Sequence, residues 1–226
     1  MSKKTWNPSA QKTVIQINST LDMLLTKALA LSYNVLPPIN ESLRHCQITW
    51  NNHVSERANS GKSFTKLDQY LHILQTNSYH CLLFDGSIIR VNFEFDDDLL
   101  IAQNLLWWPA PYDYGNILQE GYSPVELILD FFGDNSWHET IKMRSPIRID
   151  FDSSNNTVTH PHSHLHIQNN ETRLNTNNPI CFNRFVDFIF RNFYPQFELS
   201  FSSFDFIEYK IPELQNFDYI SSWIIV

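Results

Sequence analysis

Residues 147–152 read Ile-Arg-Ile-Asp-Phe-Asp and residues 162–168 read His-Ser-His-Leu-His-Ile-Gln, with Ser-Ser-Asn-Asn at 153–156 between them. Side chains alternate across a β-strand, so strict alternation of apolar and polar residues marks a strand with one face on a core. In the first stretch Ile147, Ile149 and Phe151 share one face and Arg148, Asp150 and Asp152 the other. In the second, Ser163, Leu165 and Ile167 lie opposite His162, His164 and His166. Ser-Ser-Asn-Asn is a turn-rich connection. A hairpin follows, and its register is set because a slip of one residue would put isoleucine in water. Its polar faces coincide, which brings Arg148 and Asp150 beside His164 and His166. His160 precedes Pro161 and is held extended by it.

Working outward, Tyr79 to Phe84 and Ser87 to Phe95 flank Asp85-Gly86 and predict a second hairpin, because Asp-Gly supports the positive φ of a tight turn. Leu99 to Trp108 is a further apolar strand, ended by Pro109-Ala-Pro111. Residues 9–35 carry Val14, Ile17, Leu21, Leu24, Leu25, Ala28 and Leu31 near a 3.6 period and predict an amphipathic helix; Ser63 to Gln75 predicts a second. Ser123-Pro124 opens a short helix to Phe132, closed by Gly133. Pro179 to Tyr194 predicts a helix burying Phe182, Phe185, Val186, Ile189, Phe190 and Phe193. The tail from Phe197 alternates aromatic and polar residues and predicts more strands. Together these give a single α+β domain over 1–226, mainly helical over 1–76 and sheet-containing over 77–226. Its sheet is antiparallel, with the helix of the C-terminal half packed on it.

A hydrophobic share of 42%, with 17 Phe, 9 Tyr and 6 Trp, supplies a core. Only 5 Gly argues against a glycine-rich nucleotide fold, and a net charge of −8 disfavours sequence-independent duplex binding, which needs Lys and Arg against phosphate. Cys46, Cys81 and Cys181 form no close pair, which fits a reducing cytoplasm. No signal peptide or membrane-spanning run is legible, so the expected location is cytoplasmic and no membrane partner is expected.

The polar patch suits acid–base chemistry on phosphate. A carboxylate beside an imidazole sets its tautomer and raises its basicity, and arginine grips phosphate. His160, His164, His166, Arg148 and Asp150 are the candidate catalytic residues; Arg173, Trp107, Trp108 and Tyr112 are candidates for holding substrate. Alternating imidazoles could also chelate a divalent transition metal, which is the second choice; no other cofactor is expected. The bland alternative is an ordinary strand whose polar face is simply wet. Asn59-Ser-Gly61-Lys62-Ser63 ends like a phosphate-binding loop but has Glu56 where a glycine is required, and reads as a turn. Glu94 to Asp98 reads as a solvated strand end.

His162-Ser-His164-Leu-His166-Ile-Gln168 resembles the histidine-triad nucleotide hydrolase motif, departing from it at Ser163 and Gln168. His164, His166 and Glu171 resemble part of a cupin motif. His160-Pro161-x-Ser163-His164-Leu165-His166, after Arg148-x-Asp150 and Trp107-Trp108-Pro109 and before Asn192-Phe193-Tyr194, resembles a family of uncharacterised bacterial proteins over residues 79–195. That resemblance implies a loose link to phage-defence loci. It favours His160, His164, His166, Arg148 and Asp150 over His162, which falls on a variable position. Two functions remain open: a nuclease or phosphoesterase with nucleic acid or nucleotide as substrate, and a binding or assembly subunit with a protein partner. The surplus of aromatics outside obvious helices and the net acidity motivate the second. The oligomeric state is not legible.

Overall fold

The computed structural model describes residues 7–40, 43–50, 66–114, 123–131, 141–157, 159–168, 171–214 and 223–224. Helix α1, Pro8–Thr26, opens with proline in its first turn and buries Ala10, Val14, Ile17, Leu21 and Leu24 on one face. It is shorter than the periodicity suggests. Ala28 takes a φ of 56° and donates to the Leu25 carbonyl at 2.9 Å, while Leu29 donates to Leu24 at 2.8 Å. This pair of bonds is the Schellman stop that glycine usually provides, built here on alanine, so no glycine signalled it. An alanine in the left-handed region costs about 1 kcal/mol against glycine. Ala28→Gly is therefore expected to raise stability by roughly that amount, read from urea denaturation midpoints.

The chain then returns as β1, Ala30–Tyr33, and β2, His45–Ile48, both part of the sheet. The first 76 residues thus contribute two strands as well as α1 and α2, Leu67–Gln75. Strands β3 (Cys81–Leu83), β4 (Ile88–Asp96), β5 (Leu99–Trp108), β6 (Ile147–Asp152), β7 (Ser163–Ile167) and β8 (Leu174–Thr176) follow in chain order and pair antiparallel with their neighbours. β1 pairs with β3 and β2 with β4, while β9, Trp223–Ile224, pairs parallel to β8. The rest of the described tail is a short 3-10 turn and irregular segments rather than the expected run of strands. Between β3 and β4 only Gly86 has positive φ, and a Cβ there would lie 2.8 Å from the Tyr114 ring, so glycine is required. Asp97 and Asp98, expected as a solvated strand end, both have positive φ and make the tight β4–β5 turn.

One sheet face carries Ile89, Val91 and Phe93 of β4, Leu105 and Trp107 of β5, Ile149 and Phe151 of β6 and Leu165 of β7. Helix α4, Phe182–Phe193, covers it together with α1 through Phe182, Phe185, Val186, Ile189 and Phe190. Phe193, expected inside, is 40% exposed, although it stacks on Trp107 with centroids 4.4 Å apart. The opposite face is divided. At one end Ile88, Leu106 and Trp108 meet Tyr70, Ile73 and Leu74 of α2, Ile128 of α3 (Pro124–Phe131), and Tyr112 and Tyr114, forming a second core. At the other end the same face is polar.

His80, just before β3, is fully buried and accepts the Val91 N–H on Nδ1 at 3.1 Å. Burial, reinforced by the Arg90 charge, pushes its pKa down to about 3. The unfolded chain binds this proton below its ordinary pKa of about 6.5, whereas the folded chain does so only near 3. Stability from His80 is thus complete above about pH 6.5 and lost progressively as pH falls toward 3. The melting temperature is expected to drop across this window, and His80→Gln to flatten the slope in pH-scanned thermal melts.

Candidate active site

The polar half of that face is ordered by strand register. Arg148 pairs with Leu106 and His166, and Arg90 with Leu106, forming one row of residues across β4 to β7. The next row runs Asn92, Asn104, Asp150, His164 and Asn175. The expected hairpin forms and brings the four residues to one face, with Arg148 paired to His166 and Asp150 to His164.

Asp150 is the hub. Its Oδ2 receives Arg148 Nε at 2.9 Å and a terminal Arg148 nitrogen at 2.8 Å, and its Oδ1 receives the Asn104 amide at 2.6 Å. His166 Nε2 lies 3.1 Å from Oδ2 and His164 Nε2 3.8 Å from it. Burial pushes this carboxyl up, but the His166 hydrogen bond, the Arg148 charge and the two imidazoles outweigh it and hold the pKa below the ordinary value. Asp150 is an anion held by donors on several sides.

His164 Nδ1 is 2.7 Å from the Pro161 carbonyl. A carbonyl only accepts, so Nδ1 carries the proton and the Nε2 lone pair points toward Asp150 and the cavity. Burial depresses the His164 pKa to about 4, with Asp150 opposing the shift. The ring is therefore neutral at pH 7. His160, half-buried, sets its ring edge-on to His164 with centroids 4.7 Å apart. His162 leaves the row. Its ring meets the edge of Phe151, on the apolar side, and its Nδ1 approaches Asn156 at 3.3 Å. Strand β7 begins only at Ser163, after a bend at His162, so alternation does not extend to His162, and His160 is the imidazole that meets His164.

These groups line a cavity of about 650 Å³ with Gln47, Trp50, Asn92, Glu94, Asn104 and Arg173. The simple wet-face reading is thereby corrected: Arg148, His164 and His166 are all buried, 5% exposed or less, in a polar pocket. Arg173 enters the wall from the segment before β8 and holds Glu171 at 3.3 Å. Trp107, Trp108 and Tyr112 do not line this cavity. Trp107 is buried in the first core and Trp108 and Tyr112 in the second, because β5 continues past the polar half of the face. Register missed Asn104, Trp50 and the Pro161 carbonyl, which act through β5, a loop and a backbone atom. An asparagine two positions from a buried strand residue was the available signal for the first.

Asp150, His164 and His166 offer ligand atoms within 4.8 Å of one another, close enough to hold a metal ion. Two Arg148 donors already occupy the Asp150 oxygen nearest both imidazoles, so a cation would have to compete with a guanidinium there. The donor set therefore fits a metal less well than it fits a charged acid–base site.

An antiparallel α+β chain whose sheet buries an arginine–aspartate–histidine cluster at the floor of a cavity defines the class. The chain belongs to the family described as uncharacterized conserved protein (DUF2290), whose model matches residues 29–219, a wider span than the motif stretch of 79–195. No curated protein and no solved structure matches it. Among the described residues no helix is long and apolar enough to cross a membrane.

Proposed function

We propose that the protein hydrolyses a phosphate ester or phosphodiester in this cavity. The observation that carries the reading is the His164 tautomer: the Pro161 carbonyl holds the Nδ1 proton, leaving Nε2 as a base beside an anionic Asp150. His164 Nε2 takes a proton from water as its oxygen attacks phosphorus. The developing imidazolium is stabilised by Asp150. The phosphorus–oxygen bond to the leaving group breaks, and His160 gives that oxygen a proton. Arg148 and Arg173 supply positive charge to the phosphoryl oxygens.

We assign His166 to orienting Asp150, whose Oδ2 lies 3.1 Å from its Nε2. Hydrolysis of bis(p-nitrophenyl) phosphate or a short oligonucleotide by purified protein, persisting in EDTA, is the expected result. No turnover of either would sink the proposal. A role in an anti-phage system rests on the family resemblance, and plating efficiency with and without an intact site tests it. Trp107, Trp108, Tyr112 and Tyr114 are taken up by the two cores, so the assembly-subunit reading keeps the net charge of −8 as its motive.

A further inference from the structure

The acid–base cluster occupies only one end of the cavity. At the other end, on β2 and β4, Gln47 Nε2 donates to Asn92 Oδ1 at 2.8 Å and to Glu94 Oε1 at 3.2 Å. Asn92 Nδ2 also donates to Glu94 Oε1, at 3.3 Å. Among the described residues no hydrogen bond reaches the other carboxylate oxygen of Glu94. Trp50 forms the adjoining wall, its ring held from one side by the Arg90 guanidinium 4.2 Å from the centroid. Asn104 Oδ1, between the two ends, is buried without a partner. A buried unpaired acceptor is costly, which points to a polar ligand with donors of its own.

We propose that Gln47, Asn92 and Glu94 form a nucleobase-reading subsite, so that the ligand is a nucleotide unit whose base carries an exocyclic amine. This rests on the phosphoester reading above and extends it to the substrate. Glu94 lies two strand spacings across the sheet and four residues along it from Arg148, about 16 Å between backbones, which the two side chains reaching inward shorten to the scale of a nucleotide from phosphate to base edge. A phosphate held at Arg148 and Arg173 thus places a base, rather than its sugar, against Glu94. A carboxylate accepts from an amine, amides offer both donor and acceptor, and an indole provides a flat apolar wall. A cavity of about 650 Å³ is far larger than a phosphate alone needs and lies within the range of ligand sites.

The test measures binding by calorimetry, with inorganic phosphate, ribose 5-phosphate, CMP, UMP and a short oligocytidylate as probes. CMP and UMP have nearly the same size and differ at the amine. The full chain is expected to bind CMP at least tenfold tighter than UMP or ribose 5-phosphate. Glu94→Gln, which keeps side-chain shape, and Gln47→Ala should each bring CMP toward the ribose 5-phosphate level while leaving inorganic phosphate binding unchanged. Oligocytidylate binding tighter than CMP would support the subsite and assign it to a strand; the reverse order would support it and assign it to the free nucleotide. CMP binding no tighter than ribose 5-phosphate would overturn the subsite while leaving the phosphate site standing. Failure of every probe to bind, inorganic phosphate included, would overturn both.

Discussion

Asp150→Ala is expected to destabilise the fold by about 3–5 kcal/mol, because it leaves the buried Arg148 guanidinium without its counter-charge. For a chain of this length roughly 2–4 °C of melting temperature follows each kcal/mol, so a loss on the order of 10 °C is anticipated. Asp150→Asn retains an acceptor but not the charge, and falls between the variant and the wild type. The sharper comparison is the paired replacement Arg148→Met with Asp150→Leu. Removing both partners eliminates the orphaned charge, and the double variant is expected to be more stable than Asp150→Ala alone. Urea denaturation of the three proteins measures this. A cost below about 1 kcal/mol for Asp150→Ala would place the pair among weak surface bridges.

His164→Gln is expected to reduce phosphoester hydrolysis by about 10²–10⁴-fold, the usual worth of a positioned base. Glutamine preserves a polar side chain of similar reach, so a large activity loss with a modest stability change separates catalysis from packing. The pH profile gives a second readout. His164 acts in its neutral form and its pKa is about 4, so the low-pH limb of the profile should fall only as pH approaches 4. Asp150→Asn removes a charge that favours the imidazolium, and moves that limb to lower pH. A rate that falls already near pH 6.5 would assign the base to a different group. His166→Gln should act mainly on stability, since that buried ring holds Asp150 through Nε2.

The two hairpin strands show how much of this site was legible. Alternation in Ile147-Arg-Ile-Asp-Phe-Asp152 and Ser163-His-Leu-His-Ile167 is enough to put Arg148, Asp150, His164 and His166 on one face, because a one-residue slip would put aliphatic side chains in water; which of them pair was decided by the fold. The period of Phe182, Phe185, Val186, Ile189 and Phe190 places α4 on the sheet for the same reason. Local patterns carry information about which face a residue takes. They carry none about what lies across that face.

Whether the polar half of the sheet is wet or enclosed depends on Trp50, Arg173 and neighbouring strands that are distant in sequence. Whether Trp107, Trp108 and Tyr112 serve a pocket or a core depends on α2, α3 and α4 arriving over β5. The stop of α1 at Ala28 and the exchange of His162 for His160 turn on one backbone angle and a bend at His162, which no side-chain periodicity encodes. Residue order alone determined the hairpin and the shared face of Arg148, Asp150, His164 and His166, since keeping apolar groups dry fixes which side each residue takes. Tertiary structure alone decided the burial of that cluster, the tautomer of His164 and the cavity above it, because each depends on groups that meet only when the chain has folded.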